Sequence, residues 1–301
     1  MTQTKHKIIH TAPPKSLRDR IAGVIPYILL TGYSVVALFP MFLIVINSFK
    51  DRKELFRTPY QPPIWFTFED GFQILNTFSA EGYERVFNQS PVLGYFANSI
   101  FITGVSLFFV LLLGTTVAYA LNEYNFRGNR VLYVFMVVGV MIPLRLGTVS
   151  LIKLVTSLGI YDTHIALILV YIAKGLPVGL FILSEFMRQV PGELKDAARV
   201  DGANEYWILF ALVIPLIRPA LATVLVFQLI PIWNDLWFPL TLAPSEGVRT
   251  VTLGVSSFAG QYKQDWSALL AALTLAMLPV TGLYIVFSRQ FIRGLTRGAL
   301  K

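Results

Sequence analysis

The chain of 301 residues contains no cysteine, which excludes disulfides, thiolate metal sites and a cysteine nucleophile. Histidine is nearly as scarce: His6 and His10 stand in the N-terminal tail and His164 near the end of an apolar stretch. No spacing among the three matches a metal site or a histidine-based catalytic pair, so all three are expected to be solvated. Nowhere does the sequence carry Gly-x-x-x-x-Gly-Lys-Ser/Thr, the loop that cradles nucleotide phosphates. The chain is therefore not expected to bind or hydrolyse ATP by itself. Low-complexity tracts and short-period repeats are missing, as is a basic-aromatic module for nucleic acid. Charge itself is sparse, 14% of residues, too little for a soluble globule of this length.

What fills the chain instead is apolar. Hydrophobic residues make up 55% and the mean hydropathy is +0.62, values of a polytopic membrane protein. A helix needs roughly 20 mainly apolar residues to cross the hydrocarbon core, and six such stretches lie near residues 21–46, 93–121, 131–151, 164–186, 213–242 and 267–287. Pro143, Arg145 and Gly147 interrupt the third. The expected fold is all-α with six transmembrane helices.

The expected division is a basic tail (1–20), a first transmembrane helix (21–46), an extracytoplasmic segment (47–92), a transmembrane core (93–290) containing a polar loop (187–215), and a C-terminal tail (291–301). Lys5, Lys7, Lys15, Arg18 and Arg20, the loops around Arg127 and Arg199, and Arg289, Arg293, Arg297 and Lys301 lie on one side of this topology. They hold roughly twice the basic residues of the other side, so both termini are expected in the cytoplasm. Topology then accounts for the net charge of +8 better than nucleic acid does, and leaves contacts with acidic membrane lipid open. No cleavage pattern precedes the first apolar run, which is expected to act as an uncleaved anchor.

One polar segment stands between two apolar stretches, Pro191-Gly192-Glu193-Leu194-Lys195-Asp196-Ala197-Ala198-Arg199-Val200-Asp201-Gly202-Ala203. Pro191 suits a helix start, Leu194, Ala197 and Ala198 fall on one helical face, and Gly202 supplies a stop. The small side chains of Ala197 and Ala198 let another protein approach the backbone, with Glu193, Lys195, Asp196 and Arg199 expected as a charged rim. From spacing alone, a solvated loop helix fits equally well.

Resemblance separates the two readings. Asp196-Ala197-Ala198, three residues, Gly202, nine residues and then Leu212-Val213-Ile214-Pro215 resembles the cytoplasmic loop signature of ATP-binding-cassette importer membrane subunits, with Asp in place of the usual opening Glu. Further stretches are similar to the carbohydrate-uptake branch typified by the smaller membrane subunit of the maltose transporter: Asn98-Ser99, Met141-Ile142-Pro143, Trp233-Asn234-Asp235, Asp265-Trp266 and Phe291-Ile292-Arg293-Gly294-Leu295-Thr296-Arg297-Gly298-Ala299. The resemblance covers roughly residues 95–301 and is weakest near 71–81, where extra residues stand. It implies a type I importer transmembrane domain in a bacterial inner membrane. It also implies that Glu193, Asp196, Ala197, Ala198 and Gly202 form a coupling helix seated on an ATPase subunit. Implied partners are two ATPase subunits carrying ATP and Mg, a homologous second permease subunit and an extracytoplasmic substrate-binding protein. The chain itself would hold no cofactor or metal and catalyse nothing.

The segment 47–92 carries Trp65, Phe66, Phe68, Phe72, Tyr83 and Phe87. For any one of these, packing over the helix ends is favoured over contact with a binding protein. In the fifth apolar stretch, Gln228, Trp233, Asn234, Asp235 and Trp237 place indoles and polar groups at membrane depth. Indole faces with amide and carboxylate groups suit a sugar, while an aromatic belt with interhelical hydrogen bonds suits the same residues. Gln228, Trp233, Asn234 and Asp235 are the candidate pathway residues, with Asp235 expected to face protein or water. Arg145 and Lys174 either line a polar cavity, pair with an acid, or reach for the interface along their stems. An ion-driven secondary transporter with Asp235, Lys174 and Arg145 as a relay is the alternative function. An intramembrane enzyme lacks any nucleophile-base pair or metal motif.

Overall fold

The computed structural model describes residues 17–67, 73–259 and 265–299, with side chains described for 24–64, 76–259 and 265–286. Phe68, Phe72, the basic tail up to Lys15, and Lys301 lie outside the described residues, as do the side chains of Trp65, Phe66 and the C-terminal basic residues.

Four helices are long and apolar enough to cross a membrane, and two bent pairs raise the count to six if each pair is one span. The unbroken ones are α1 (Leu17–Asn47), α4 (Val92–Glu123), α7 (His164–Met187) and the last helix, here α14 (Trp266–Ala299). Each agrees with an apolar stretch read from the sequence to within a few residues at its start.

The third span is not one rod. Helix α5 (Asn129–Gly139) stops before Pro143, a short 3-10 turn covers Leu144–Gly147, and α6 (Thr148–Ser157) leaves at 84°. Proline lacks the donor that would continue the ladder and its ring crowds the preceding turn, which is why Met141-Ile142-Pro143 marks a break. The fifth span is likewise bent, by 77°. Its first arm joins α9 (Glu205–Trp207), a widened π-type stretch (Ile208–Val213) and α10 (Ile214–Leu216); its second is α11 (Arg218–Trp233). Pro215 and Pro219 flank the bend at Ile217, so two donors are missing where the axis turns. The expectation of one helix over 213–242 needs correcting at its far end. The chain unwinds at Asn234 and Asp235 and re-forms as α12 (Trp237–Leu242).

Segment 47–92 folds into α2 (Arg52–Arg57), a hairpin of β1 (Ile64–Thr67) and β2 (Gln73–Asn76) with Ile64 opposite Asn76, and α3 (Glu81–Gln89). This hairpin is the one sheet among the described residues, and it overlaps the stretch near 71–81 where extra residues stand. The segment is fixed to the bundle by side chains and by close backbone approach. Arg85 pairs with Asp265 at 2.9 Å, Tyr83 hydrogen-bonds Ser48 at 2.7 Å and packs its ring tilted against Phe49, and a Cβ on Gly82 would stand 2.5 Å from the Ser267 carbonyl. Tyr83 thus packs inward, whereas Phe87 is exposed.

Lys50 is fully buried beneath this cap, its Nζ donating to Asn47 Oδ1 (3.0 Å), the Gln61 carbonyl (2.6 Å) and the Thr58 carbonyl (2.5 Å). Burial lowers its ammonium below the ordinary lysine value. Lys50→Met is expected to leave those acceptors unpaired at a cost of about 2–3 kcal/mol. Limited proteolysis of the purified subunit should then cut within residues 48–62, and an unchanged digestion pattern would refute it.

The loop between α12 and α14 holds α13 (Val251–Ser256) and is tied to the start of α4. Asn98 Nδ2 donates to the Gly247 and Arg249 carbonyls, both at 3.0 Å, and Ser99 Oγ accepts from Val251 N at 2.8 Å. His164 Nε2 meets Asn98 Oδ1 at 2.9 Å with Phe101 edge-on, so this histidine is a packing residue, contrary to its expected solvation.

At the centre, α4 and α7 form the tightest seam. Gly175 and Gly179, four apart on α7, lie against Val110 of α4, and Gly114 of α4 lies against Gly179 and Leu183. Small residues at this spacing let two backbones approach without lost lipid contact having to drive the association. Around the seam, Leu180, Leu183, Ile208, Leu209, Val213, Ile217 and Val224 fill the core nearer α8 (Gly192–Val200), and Ile102, Leu167, Tyr171, Leu229, Phe238 and Leu242 fill the other half.

Candidate functional site

The polar segment folds as expected, with Pro191 at the N-cap and α8 following. Gly202 adopts φ +83°, the left-handed region where a side chain is strained. Ala203 N bonds the Ala198 carbonyl at 2.9 Å and Gly202 N the Arg199 carbonyl at 3.0 Å, the paired bonds of a Schellman stop. The glycine is thus required by backbone geometry.

The charged rim is only half present. Glu193 and Asp196 are exposed, but Lys195 and Arg199 turn inward to Glu123 at the end of α4. Arg199 reaches Glu123 at 2.6 Å, Glu205 at 2.8 Å and Asp196 at 2.9 Å, and the Tyr119 hydroxyl donates to Glu205 at 2.6 Å. Hydrogen bonds donated to Glu205, then to Glu123, hold the Arg199 guanidinium above its ordinary value, so its charge is permanent. Spacing along α8 could not show this, because the deciding partner is 72 residues away from Lys195. Leu194 and Ala197 face outward while Ala198 leans on the core. Beside the Schellman stop lies a hollow of about 410 Å³ lined by Ala198, Asp201, Gly202, Ala203, Asn204 and Trp207. Val200, Tyr206, Trp207 and Phe210 add exposed apolar surface that sequence reading missed. A rigid helix with small residues, a hollow and exposed aromatics is equipped to receive another protein's side chains.

The fifth-span residues separate. Trp233 is buried and its Nε1 donates to the Ala276 carbonyl at 3.1 Å, which makes it a packing contact between α11 and α14. Asn234 is exposed and lines a different hollow with Thr252, Ser256 and Met277. Asp235 is buried: Oδ2 accepts from Tyr171 at 3.1 Å, Oδ1 accepts from Trp237 N at 3.2 Å, and Arg145 Nη2 stands 3.6 Å from Oδ1. Arg145 therefore has the partner across the bundle that sequence left unnamed. Trp237 Nε1 donates to Thr148 Oγ1 at 2.9 Å, joining the two broken spans.

Gln228 donates to the Gly175 carbonyl at 3.3 Å and lines a cavity of about 410 Å³ with Arg145, Lys174, Phe227 and the Gly139–Leu144 break. Lys174 stands 10 residues from the start of α7 and 13 from its end, about 15–20 Å from either at 1.5 Å per residue. That is too deep for its stem to reach an interface. A charge at such depth costs about 2.5–3.5 kcal/mol on insertion scales, which the cavity must offset.

The sequence pattern of the family described as binding-protein-dependent transport system inner membrane component matches residues 110–297. The chain belongs to this family. Among curated members it is 30% identical over 94% of its length, and 90% of the relative, to the diacetylchitobiose uptake system permease protein NgcG of Streptomyces coelicolor. It is 32% identical over 90% of its length, and 94% of the relative, to the inner membrane ABC transporter permease protein YcjP of Escherichia coli. A solved chain from a bacterial ABC transporter involved in the import of the acidic polysaccharide alginate shares the fold, with a TM-score of 0.71 and 22% identity over 93% of this chain and 100% of that one. As a member of this inner-membrane family, the chain is a multi-pass membrane protein built as a type I importer transmembrane domain.

Proposed function

We propose that this subunit and a homologous second permease subunit form the pathway through which a carbohydrate enters the cell, driven by ATP and Mg on two separate ATPase subunits. Both termini are cytoplasmic in this reading, and the hairpin cap of residues 47–92 faces an extracytoplasmic substrate-binding protein. The observation that carries the proposal is α8: an outward-facing helix whose end is fixed by Gly202 and whose base is ion-paired to a transmembrane helix at Glu123. Such a lever moves as one body with α4 when something pushes on it. Glu193, Asp196, Ala197, Ala198 and Gly202 are its contact residues. The carbohydrate class rests on relatives whose names specify diacetylchitobiose, arabinooligosaccharides and melibiose, raffinose and stachyose. The role of Gln228, Trp233, Asn234 and Asp235 in this reading is to shape the bent fifth span around the pathway, with Gln228 facing the cavity.

Purification of the tagged subunit in detergent should recover an ATPase and a second permease subunit. Recovery of the chain alone, still moving solute down an ion gradient in liposomes, would reverse the proposal. Gly202→Val tests the lever itself. Strain in the left-handed region is expected to cost about 1–2 kcal/mol and to lower ATP-driven uptake several-fold while the subunit remains folded. Uptake at the wild-type rate would remove α8 from the mechanism.

A further inference from the structure

The cavity between the two broken spans has an unbalanced charge. Its lining includes two cations, Arg145 and Lys174, one amide, Gln228, and otherwise apolar groups, among them Val178, Phe227 and Phe238. Asp235 does not line it; this carboxylate is buried behind, already engaged by Tyr171, the Trp237 amide and Arg145. Arg145 meets it from one side only, at 3.6 Å, beyond hydrogen-bond distance, and leaves most of its guanidinium exposed. Lys174 has no hydrogen bond or ion pair among the described residues. Two donors of positive charge therefore face one space in surroundings of low polarity, where fields are strong and a counter-charge is sought.

We infer that this cavity is a subsite for a solute bearing an anionic oxygen group, carboxylate or phosphate, so that the carbohydrate carried is an acidic one. The inference rests on the import reading above and adds the chemical class. A neutral sugar needs acceptors as well as donors around its hydroxyls, and Gln228 supplies the lone side-chain acceptor in the lining. An acidic sugar needs donors, which Arg145 offers as a fork and Lys174 as a point charge. A phospholipid headgroup has the same chemistry, but Lys174 is about 15–20 Å from either end of its helix, and headgroups stay at the membrane surface. Phe227 and Phe238 provide apolar faces for the C–H side of a sugar ring.

The chain has no cysteine, so Val178→Cys, on the cavity wall, places a single thiol for reading the local field. In the purified importer complex, this thiol is expected to react about tenfold or more faster with an anionic methanethiosulfonate than with a cationic one, the scale of focusing by a charged cleft. Lys174→Gln should remove most of that preference and Lys174→Arg should restore it. Digalacturonate should protect the thiol, galactobiose should not, and protection should vanish with Lys174→Gln. Protection by galactobiose alone would overturn the acidic class while leaving carbohydrate import intact. Protection by neither, with the complex's ATPase also indifferent to both, would remove the carbohydrate reading as well. Protection by an anionic short-chain phosphatidylglycerol but not by digalacturonate would assign the site to lipid and overturn the inference. Equal reactivity towards both reagents, with the second permease subunit lost from the complex on Lys174→Gln, would show the ammonium paired with an acid of that subunit, again against the inference.

Discussion

Gly175→Leu is expected to lower both the yield and the melting temperature of the subunit sharply. A Cβ at this position would stand 2.6 Å from Val110 Cγ2 and 3.5 Å from Gln228 Cδ, and leucine adds three further carbons to a site with no room for the first. Overpacking of a tight seam costs up to about 3 kcal/mol, a large share of a typical stability of 5–15 kcal/mol. The same three helices α4, α7 and α11 meet there, so the strain cannot be relieved by moving one of them outward without opening the cavity. The measurement is the yield and melting temperature of the detergent-solubilised protein by size-exclusion chromatography. Gly104→Leu is the control, since Gly104 is exposed and a Cβ there meets nothing within 4 Å, and it should behave as wild type. Combining Gly175→Ala with Val110→Ala should recover stability that Gly175→Ala alone loses, the non-additivity expected of residues in contact. A folded, stable Gly175→Leu would disprove the seam.

Glu123→Gln is expected to separate ATP hydrolysis from transport. The Glu123 and Lys195 side chains are only 11% and 15% exposed, so neutralising the carboxylate leaves Lys195 without its ion-pair partner in a partly desolvated place. Arg199 keeps Glu205 and Asp196. Loss of such a hydrogen-bonded charge costs about 2–3 kcal/mol, enough to shift the population of α8 held against α4 by more than tenfold. Uptake should fall by that order while ATP hydrolysis by the complex continues. Glu185→Gln removes an exposed pair with Arg188, each about half exposed, and should change uptake by less than twofold, as surface pairs contribute under about 1 kcal/mol. If both variants transport alike, the ion-pair cluster has no part in coupling.

Much of this architecture was legible in the chain because membrane helices announce themselves by length and apolarity alone. Pro143 told where the third span breaks, though not by what angle, since the turn depends on which neighbours receive each arm; Pro215 was read only as the end of the loop signature, and the bend beside it was missed. The span over 213–242 misled for a different reason: Trp233-Asn234-Asp235-Leu236-Trp237 is apolar enough to average as helix, while Asp235 draws the backbone aside to meet Tyr171, Trp237 N and Arg145. The stop at Gly202 could be read locally because a Schellman motif is local. Lys195 and Arg199 could not, for their partner Glu123 lies on another helix. His164 was misread on the same ground, as Asn98 is 66 residues away. Hydropathy likewise gave the presence of Trp233 and Lys174 at depth, but only packing told that one is buried and the other lines a cavity.

The contacts of α14 bear on how the protein is made. The first helix packs against α14, and the cap is bolted to its start through Arg85 and Asp265, 180 positions apart in the chain. A ribosome therefore delivers α1, the hairpin and α3 long before the surface that receives them exists. During that interval α1, with nearly every residue from Val24 to Phe42 exposed in the finished subunit, is held by lipid alone. Synthesis that stops short of α14 leaves uncovered the face of α3 that packs on it in the complete subunit.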